Sequence, residues 1–169
     1  MAIKRKSQPA EVLESAVKAE IDAADFYVRL RAKIRNELLL EKLKFLAYEE
    51  ERHRKILERL FGQLFGNREL RIPARSFLKP EEAAFSDASP VLDLFKIALN
   101  PEKTSEEYYA AAGKSARDAE SRRILGYLSR VERSHYFMIR SEVDLLEKFP
   151  GSYDVEKFHE GQDLFHVGP

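Results

Sequence analysis

Glu20, Glu50 and His53 are followed, 82 positions on, by Glu102, Glu132 and His135, with no insertion or deletion between the two sets. Each half of the chain therefore holds a lone glutamate and, thirty residues later, a Glu-x-x-His pair. On a helix such a pair lies on one face, because residues three apart are neighbours there. A helical bundle that binds two metal ions in its core needs this donor set: one glutamate from each of two helices, and a Glu-x-x-His from each of the other two.

Four long segments can supply those helices. Glycine and proline, seven of each, collect largely outside about 9–35, 37–63, 89–117 and 119–148, which are predicted to be helical. Steps of three and four residues pick out a seam on each. The first reads Leu13, Ala16, Glu20, Ala23, Tyr27, Leu30 and Ile34; the second reads Leu39, Leu43, Leu46, Glu50, His53, Leu57 and Leu60. The third reads Phe95, Ala98, Glu102, Ser105, Tyr109, Ala112 and Ala116; the fourth reads Leu125, Leu128, Glu132, His135 and Ile139. The candidate ligands thus interrupt apolar stripes instead of lying on polar faces.

Vertical registration agrees. Glu20 lies 16 residues before a turn near Asn36, and Glu50 lies 14 after it. At ~1.5 Å per residue both stand ~21–24 Å from the turn, so an antiparallel hairpin sets them level. The second hairpin, turning near Asp118, repeats the same intervals. Residues 12–60 and 94–142 share eight identities: Ala16/Ala98, Glu20/Glu102, Tyr27/Tyr109, Arg35/Arg117, Leu43/Leu125, Leu46/Leu128, Glu50/Glu132 and His53/His135. Eight in 49 is weak as overall similarity, but every proposed ligand is among them.

Residues 64–88 are too long for a tight turn, and a loop of that size in one domain calls for a reason. A crossover running the length of the bundle supplies it. The expected architecture is all-α: one domain over residues 1–169, with a four-helix bundle at about 9–148 and a long crossover between helices 2 and 3. A tail at 149–169 follows the Pro150-Gly151 break, and its Tyr153, Phe158 and Phe165 are expected to pack on the bundle or on a neighbouring subunit. Pro101 allows two readings: a kink that re-aims Glu102, or a break with Asn100 capping a new helix.

Composition removes competing chemistries. There is no cysteine, which excludes disulfides, zinc ribbons, iron–sulfur clusters and thiol catalysis. Basic and acidic residues balance at 29 each, so no global field recruits nucleic acid or anionic lipid. The start, MAIKRKSQPA, lacks the apolar run of a secretory signal, and no stretch approaches a membrane span. A cytoplasmic location is the expectation.

Six ligands, Glu20, Glu50, His53, Glu102, Glu132 and His135, are expected to converge. Four carboxylates sum to −4, and two divalent ions restore neutrality. Buried carboxylates otherwise protonate or acquire counter-ions. Carboxylate oxygen with one imidazole per ion suits iron or manganese; zinc remains possible. The rival reading of the repeated pairs is surface salt bridging at i,i+3. A third Glu-x-x-His, Glu156 to His159, lies beyond the Pro-Gly break and has Gly126 thirty residues upstream, so it reads as coincidence. Tyr27 and Tyr109, each seven residues after the lone glutamate, either donate hydrogen bonds to ligand carboxylates or are ordinary core tyrosines.

The set Ala16-x-x-x-Glu20…Phe26-Tyr27, Glu50-x-x-His53, Glu102…Tyr108-Tyr109 and Glu132-x-x-His135 resembles the di-iron domain of rubrerythrins, within the ferritin-like superfamily, over about residues 9–148. The resemblance implies a ferritin-like bundle with two iron ions, reducing hydrogen peroxide or O2 or oxidising ferrous iron; some relatives store iron. By the same analogy a homodimer is expected. Family members often carry a second glutamate on the third helix, where this chain has Ser105; Glu106 is one step away and fits only if the register slips near Pro101. The usual rubredoxin-type iron site needs four cysteines, so electrons are expected from an external donor. The alternatives are a non-catalytic iron-binding or storage protein, and a metal-free structural bundle.

Overall fold

The computed structural model describes residues 9–78 and 90–150. Among them are four α-helices and no strand: α1 (Pro9–Arg31), α2 (Glu37–Phe65), α3 (Val91–Ser115) and α4 (Ala119–Lys148). The crossover residues 79–89, and the tail with Tyr153, Phe158, Phe165, His159 and His166, lie outside the described residues.

Local chemistry sets the helix ends. Asn36 caps α2 by accepting from the Leu39 N–H at 3.2 Å, and Asp118 caps α4 by accepting from Ser121 N–H at 2.7 Å. Each satisfies a backbone donor that the first turn leaves unpaired. α1 stops four residues earlier than expected. There the chain tightens through three successive i→i−3 bonds, from Ala32, Lys33 and Ile34 to Arg29, Leu30 and Arg31. α2 runs on to Phe65 and closes at Gly66, whose φ of 57° suits a residue without Cβ and whose N–H bonds to Gly62 O at 2.9 Å. α3 continues unbroken through Pro101, so the reading with Asn100 as the cap of a separate helix is set aside.

Within each hairpin the two helices approach closely along their length; between hairpins, α1 lies beside α3 and α2 beside α4. Both of these pairs are antiparallel. Tyr27 bonds to Glu102 and Tyr109 to Glu20, so seven residues up α1 correspond to seven residues down α3. His53 against Glu132 and Glu50 against His135 repeat the relation across α2 and α4. The halves are thus related by a pseudo-two-fold axis across the bundle, as the sequence repeat requires.

With α1 antiparallel to α3, the segment between the hairpins must cross the bundle's length. Its described part starts on that path, running along α1 from the level of Glu14 to that of Asp22. The Arg71 N–H bonds to Glu14, Ser76 bonds to Asp22 at 2.7 Å, and Phe77 stacks on Tyr108 at 3.8 Å.

Two apolar clusters fill the bundle. One, around Tyr27, Leu30, Leu43, Leu46, Phe95 and Ile139, occupies one end. The other, around Leu13, Val17, Leu57, Leu60, Leu128 and Tyr109, occupies the opposite end. The expected seam residues are buried, with one correction: Ala112 and Ala116 are half-buried, and Gly113 takes the inner position. The 3.6-residue helix drifts off the seam there, and Gly113 faces α4 so closely that an added Cβ would stand 3.4 Å from Leu125 Cβ.

Candidate metal centre

The six repeated residues meet in the layer between the two apolar clusters. Each is at most 2% exposed, although every one is charged or polar. α1 and α3 bring Glu20 and Glu102; α2 and α4 bring the two Glu-x-x-His pairs. The imidazoles of His53 and His135 stack with ring centres 5.5 Å apart and planes within 15°. His53 Nδ1 lies 2.9 Å from Glu132, 3.2 Å from Glu50 and 3.6 Å from Glu20. His135 Nδ1 lies 3.2 Å from Glu50, 3.4 Å from Glu102 and 3.8 Å from Glu132.

These donors form two overlapping groups. Glu20, Glu50, His53 and Glu132 each offer an atom within 4.8 Å of the others, and so do Glu50, Glu102, Glu132 and His135. Glu50 and Glu132 belong to both groups, so two ions could each have a private glutamate, a private imidazole and two shared carboxylates. The hydrogen bonding is incomplete in a telling way. Glu50 Oε1, Glu102 Oε2, Glu132 Oε1 and His135 Nδ1 are buried with no hydrogen-bond partner, although oppositely charged atoms stand within 4 Å. Their lone pairs converge without hydrogen-bonding geometry. Buried polar groups are rarely left in that state, and cations between them would satisfy the arrangement.

Electrostatics expose the same deficit. Burial raises Glu20 and Glu132 well above the usual carboxylate range, and Glu102 less so. For Glu50 burial also pulls upward, but the closeness of His135, His53 and Glu20 outweighs it and holds the group low. Burial would lower both histidines. The nearby carboxylates of Glu132, Glu20 and Glu50 instead raise His53 strongly, and those of Glu102 and Glu50 raise His135 to about 10. Without metal, protons on imidazole and carboxylate do the work of counter-ions.

Comparison with known proteins gives the site a lineage. The rubrerythrin family model matches residues 11–143. The chain belongs to the rubrerythrin family. A solved structure of a hypothetical protein from Pyrococcus furiosus is similar as well, at 32% identity and a TM-score of 0.75, over 86% of this chain and 94% of that one. No curated protein matches.

Two features beside the centre bear on the family resemblance. The first is the tyrosine pair: Tyr27 donates to Glu102 and Tyr109 to Glu20, each reaching across to the opposite hairpin. Each tyrosine shares a helix face with its own lone glutamate, but two turns, ~10.5 Å, separate them. The antiparallel partner is what comes level. The second is the third helix. Ser105 faces the seam at 5% exposure, while Glu106 is half-buried and pairs with Lys103 at 3.1 Å. No register slip at Pro101 brings Glu106 inward, so it does not replace the absent glutamate.

Three buried carboxylates escaped the sequence reading. Glu14 lies by Arg68 and the Arg71 N–H, Glu142 pairs with Lys42, and Glu49 pairs with Arg52 at 2.5 Å. Glu14 and Glu142 depend on partners distant in the chain. Glu49 was legible as the residue one turn before His53 on the inward edge of α2, hidden by the acidic run Glu49-Glu50-Glu51.

Proposed function

We propose that this chain is a non-haem di-iron carboxylate oxidoreductase that reduces peroxide or O2, with Glu20, Glu50, His53, Glu102, Glu132 and His135 as its metal ligands. The observation that carries the reading is the pair of overlapping donor groups with their unsatisfied buried atoms. Four carboxylates and two imidazoles fit two iron ions in charge and donor type, and manganese or zinc would compete for the same atoms. Bound iron supplies reversible one-electron oxidation at each of two adjacent ions, the two electrons that peroxide reduction consumes.

The chain's own residues prepare that chemistry. Glu50 and Glu132 hold the two positions together, and each lone glutamate is fixed by a tyrosine from the opposite hairpin. Burial and the charge of Glu102 keep the Tyr27 phenol protonated, so it remains a donor. Leucines above and below, among them Leu46, Leu57 and Leu128, exclude bulk water. Ala23 and Ser105 are small side chains beside the lone glutamates and leave room for a small oxidant. Hydrogen peroxide takes two electrons and two protons to yield two waters. The sequence has no cysteine to hold a rubredoxin-type iron site, and in this reading the electrons come from an external donor. By analogy with the family, a cytoplasmic homodimer belongs to this reading. No helix among the described residues is long and apolar enough to cross a membrane.

The test is anaerobic loading with ferrous iron followed by peroxide. About two ions per chain and rapid growth of ferric absorbance are expected, with turnover when a reductant is supplied. Loading without oxidation would leave only an iron-binding role, and sizing would then separate a dimer from a storage shell.

A further inference from the structure

The repeat breaks beside the centre. Glu49 precedes Glu50, but the residue 82 positions on is Val131, and the partner of Glu49, Arg52, corresponds to Ser134. Glu49 is nonetheless buried, at 8% exposure. A carboxylate oxygen of Glu49 and ring nitrogens of His53 and His135 all lie within 4.8 Å of one another. Both Nδ1 atoms are already surrounded by the inner glutamates. His53 Nε2, at the other side of its ring, is buried and has no hydrogen-bond partner.

An imidazole that binds metal through Nδ1 is neutral and carries its proton on Nε2. That N–H needs an acceptor when buried, and ligating histidines almost always give it to a carboxylate, a carbonyl or water. Among the described residues, Glu49 is the carboxylate near both rings that is not one of the six donors. Arg52 donates to Oε1 and so anchors the group, and a carboxylate keeps further lone pairs to accept with. The stacked imidazoles come together across the pseudo-two-fold axis, so one carboxylate stands within 4.8 Å of a ring nitrogen of each, and its absence at Val131 leaves no second one to compete.

We infer that Glu49 is a positioning residue for the metal centre: it accepts the Nε2 proton of His53, fixes the tautomer that presents Nδ1 to metal, and holds the imidazole pair from the side opposite the glutamates. The inference rests on the metal-centre reading above. It departs from the internal symmetry, because one hairpin alone supplies this support to both halves.

The experiment is titration of metal-free protein with cobalt(II), read by visible d–d absorbance, for the native chain, Glu49→Val and Glu49→Gln. Valine reproduces the residue that the second half already carries at this place. Native protein should bind about two ions. Glu49→Val should bind about 10–100-fold more weakly with a shifted d–d spectrum, while Glu49→Gln, whose amide oxygen still accepts a hydrogen bond, should recover most of the affinity and the native spectrum. Arg52→Ala, which leaves the acceptor but frees it, should show an intermediate loss and guards against a Glu49→Val chain that does not fold. Native affinity and spectrum in Glu49→Val, or a Glu49→Gln loss equal to that of valine, would overturn the role of Glu49 alone. No cobalt binding by the native chain would overturn the metal centre and this role together.

Discussion

Tyr27 of α1 donates its phenolic hydrogen bond to Glu102 of α3, tying a residue of the first hairpin to the lone glutamate of the second. Tyr109 returns the same bond to Glu20. Together with the Tyr108 hydroxyl, which donates to Val12 O at 2.9 Å, these two bonds are polar links between α1 and α3.

Tyr27→Phe and Tyr109→Phe should therefore each destabilise the metal-free protein. A buried hydrogen bond contributes about 0.5–1.5 kcal/mol, and about 1.5–3 where the acceptor is charged, and urea unfolding should report a loss within about 0.5–3 kcal/mol for either variant. The pseudo-two-fold relation adds a sharper expectation: the two losses should be similar. A variant pair differing several-fold would mean that the two tyrosines are not equivalent.

The metal-free protein should lose stability as pH rises, the reverse of its metal-loaded form. Carboxylates outweigh burial to raise His135 to about 10, and raise His53 further. A group whose folded pKa is raised contributes stability fully present below its unfolded value, about 6.5 for histidine, and lost as pH climbs through the folded value. Glu20, Glu102 and Glu132 are raised too, with the same sign from a lower starting pH. Ions displace these protons, so metal affinity should grow with pH and binding should release acid. Thermal melts from about pH 6 to 9.5 check it: a flat or rising metal-free Tm contradicts the protonated core.

Much of this was legible because a period of 3.6 residues and a repeat of 82 constrain the same positions. The seam reading reached Glu20, Glu50, His53 and their counterparts since each interrupts a leucine stripe, and burial bears it out at 1–2% exposure. Asn36 and Asp118 mark the turns because their side chains cap helices wherever they precede an apolar run. What stayed hidden depends on contacts between distant segments. Nothing local says that Tyr27 serves Glu102 and not the glutamate of its own helix, or that Lys42 meets Glu142 a hundred residues away. The inward turn of Gly113 in place of Ala112 follows from how closely α3 and α4 pack, which no single-helix pattern records.

Gly113 gives a graded test of that packing. A Cβ there would sit 3.4 Å from Leu125 Cβ and 3.6 Å from the Gly126 nitrogen, ordinary contact at its tight edge. Gly113→Ala should be tolerated and slightly stabilising, by up to about 1 kcal/mol, since alanine is the better helix former. Gly113→Val adds two methyls where α4 leaves no room and should cost about 1–3 kcal/mol. Denaturant midpoints decide the order. If valine is as stable as alanine, the helices stand farther apart than described.

Ligand deletions should separate shared from private donors. Glu50 and Glu132 occur in both donor groups, whereas Glu20 and Glu102 occur in one each. Removing a private carboxylate leaves the other group with its full set, so Glu20→Ala should retain about one ion per chain of the two expected. Removing Glu50 strips both groups at once and also frees both histidines, whose Nδ1 atoms lie 3.2 Å from it. Glu50→Ala should then bind little or no metal at concentrations that saturate the native chain. Elemental analysis after gel filtration gives the counts, and circular dichroism confirms that helicity survives. Equal stoichiometry in Glu20→Ala and Glu50→Ala would mean that the carboxylates are not divided in this way, and that the two ions do not share Glu50.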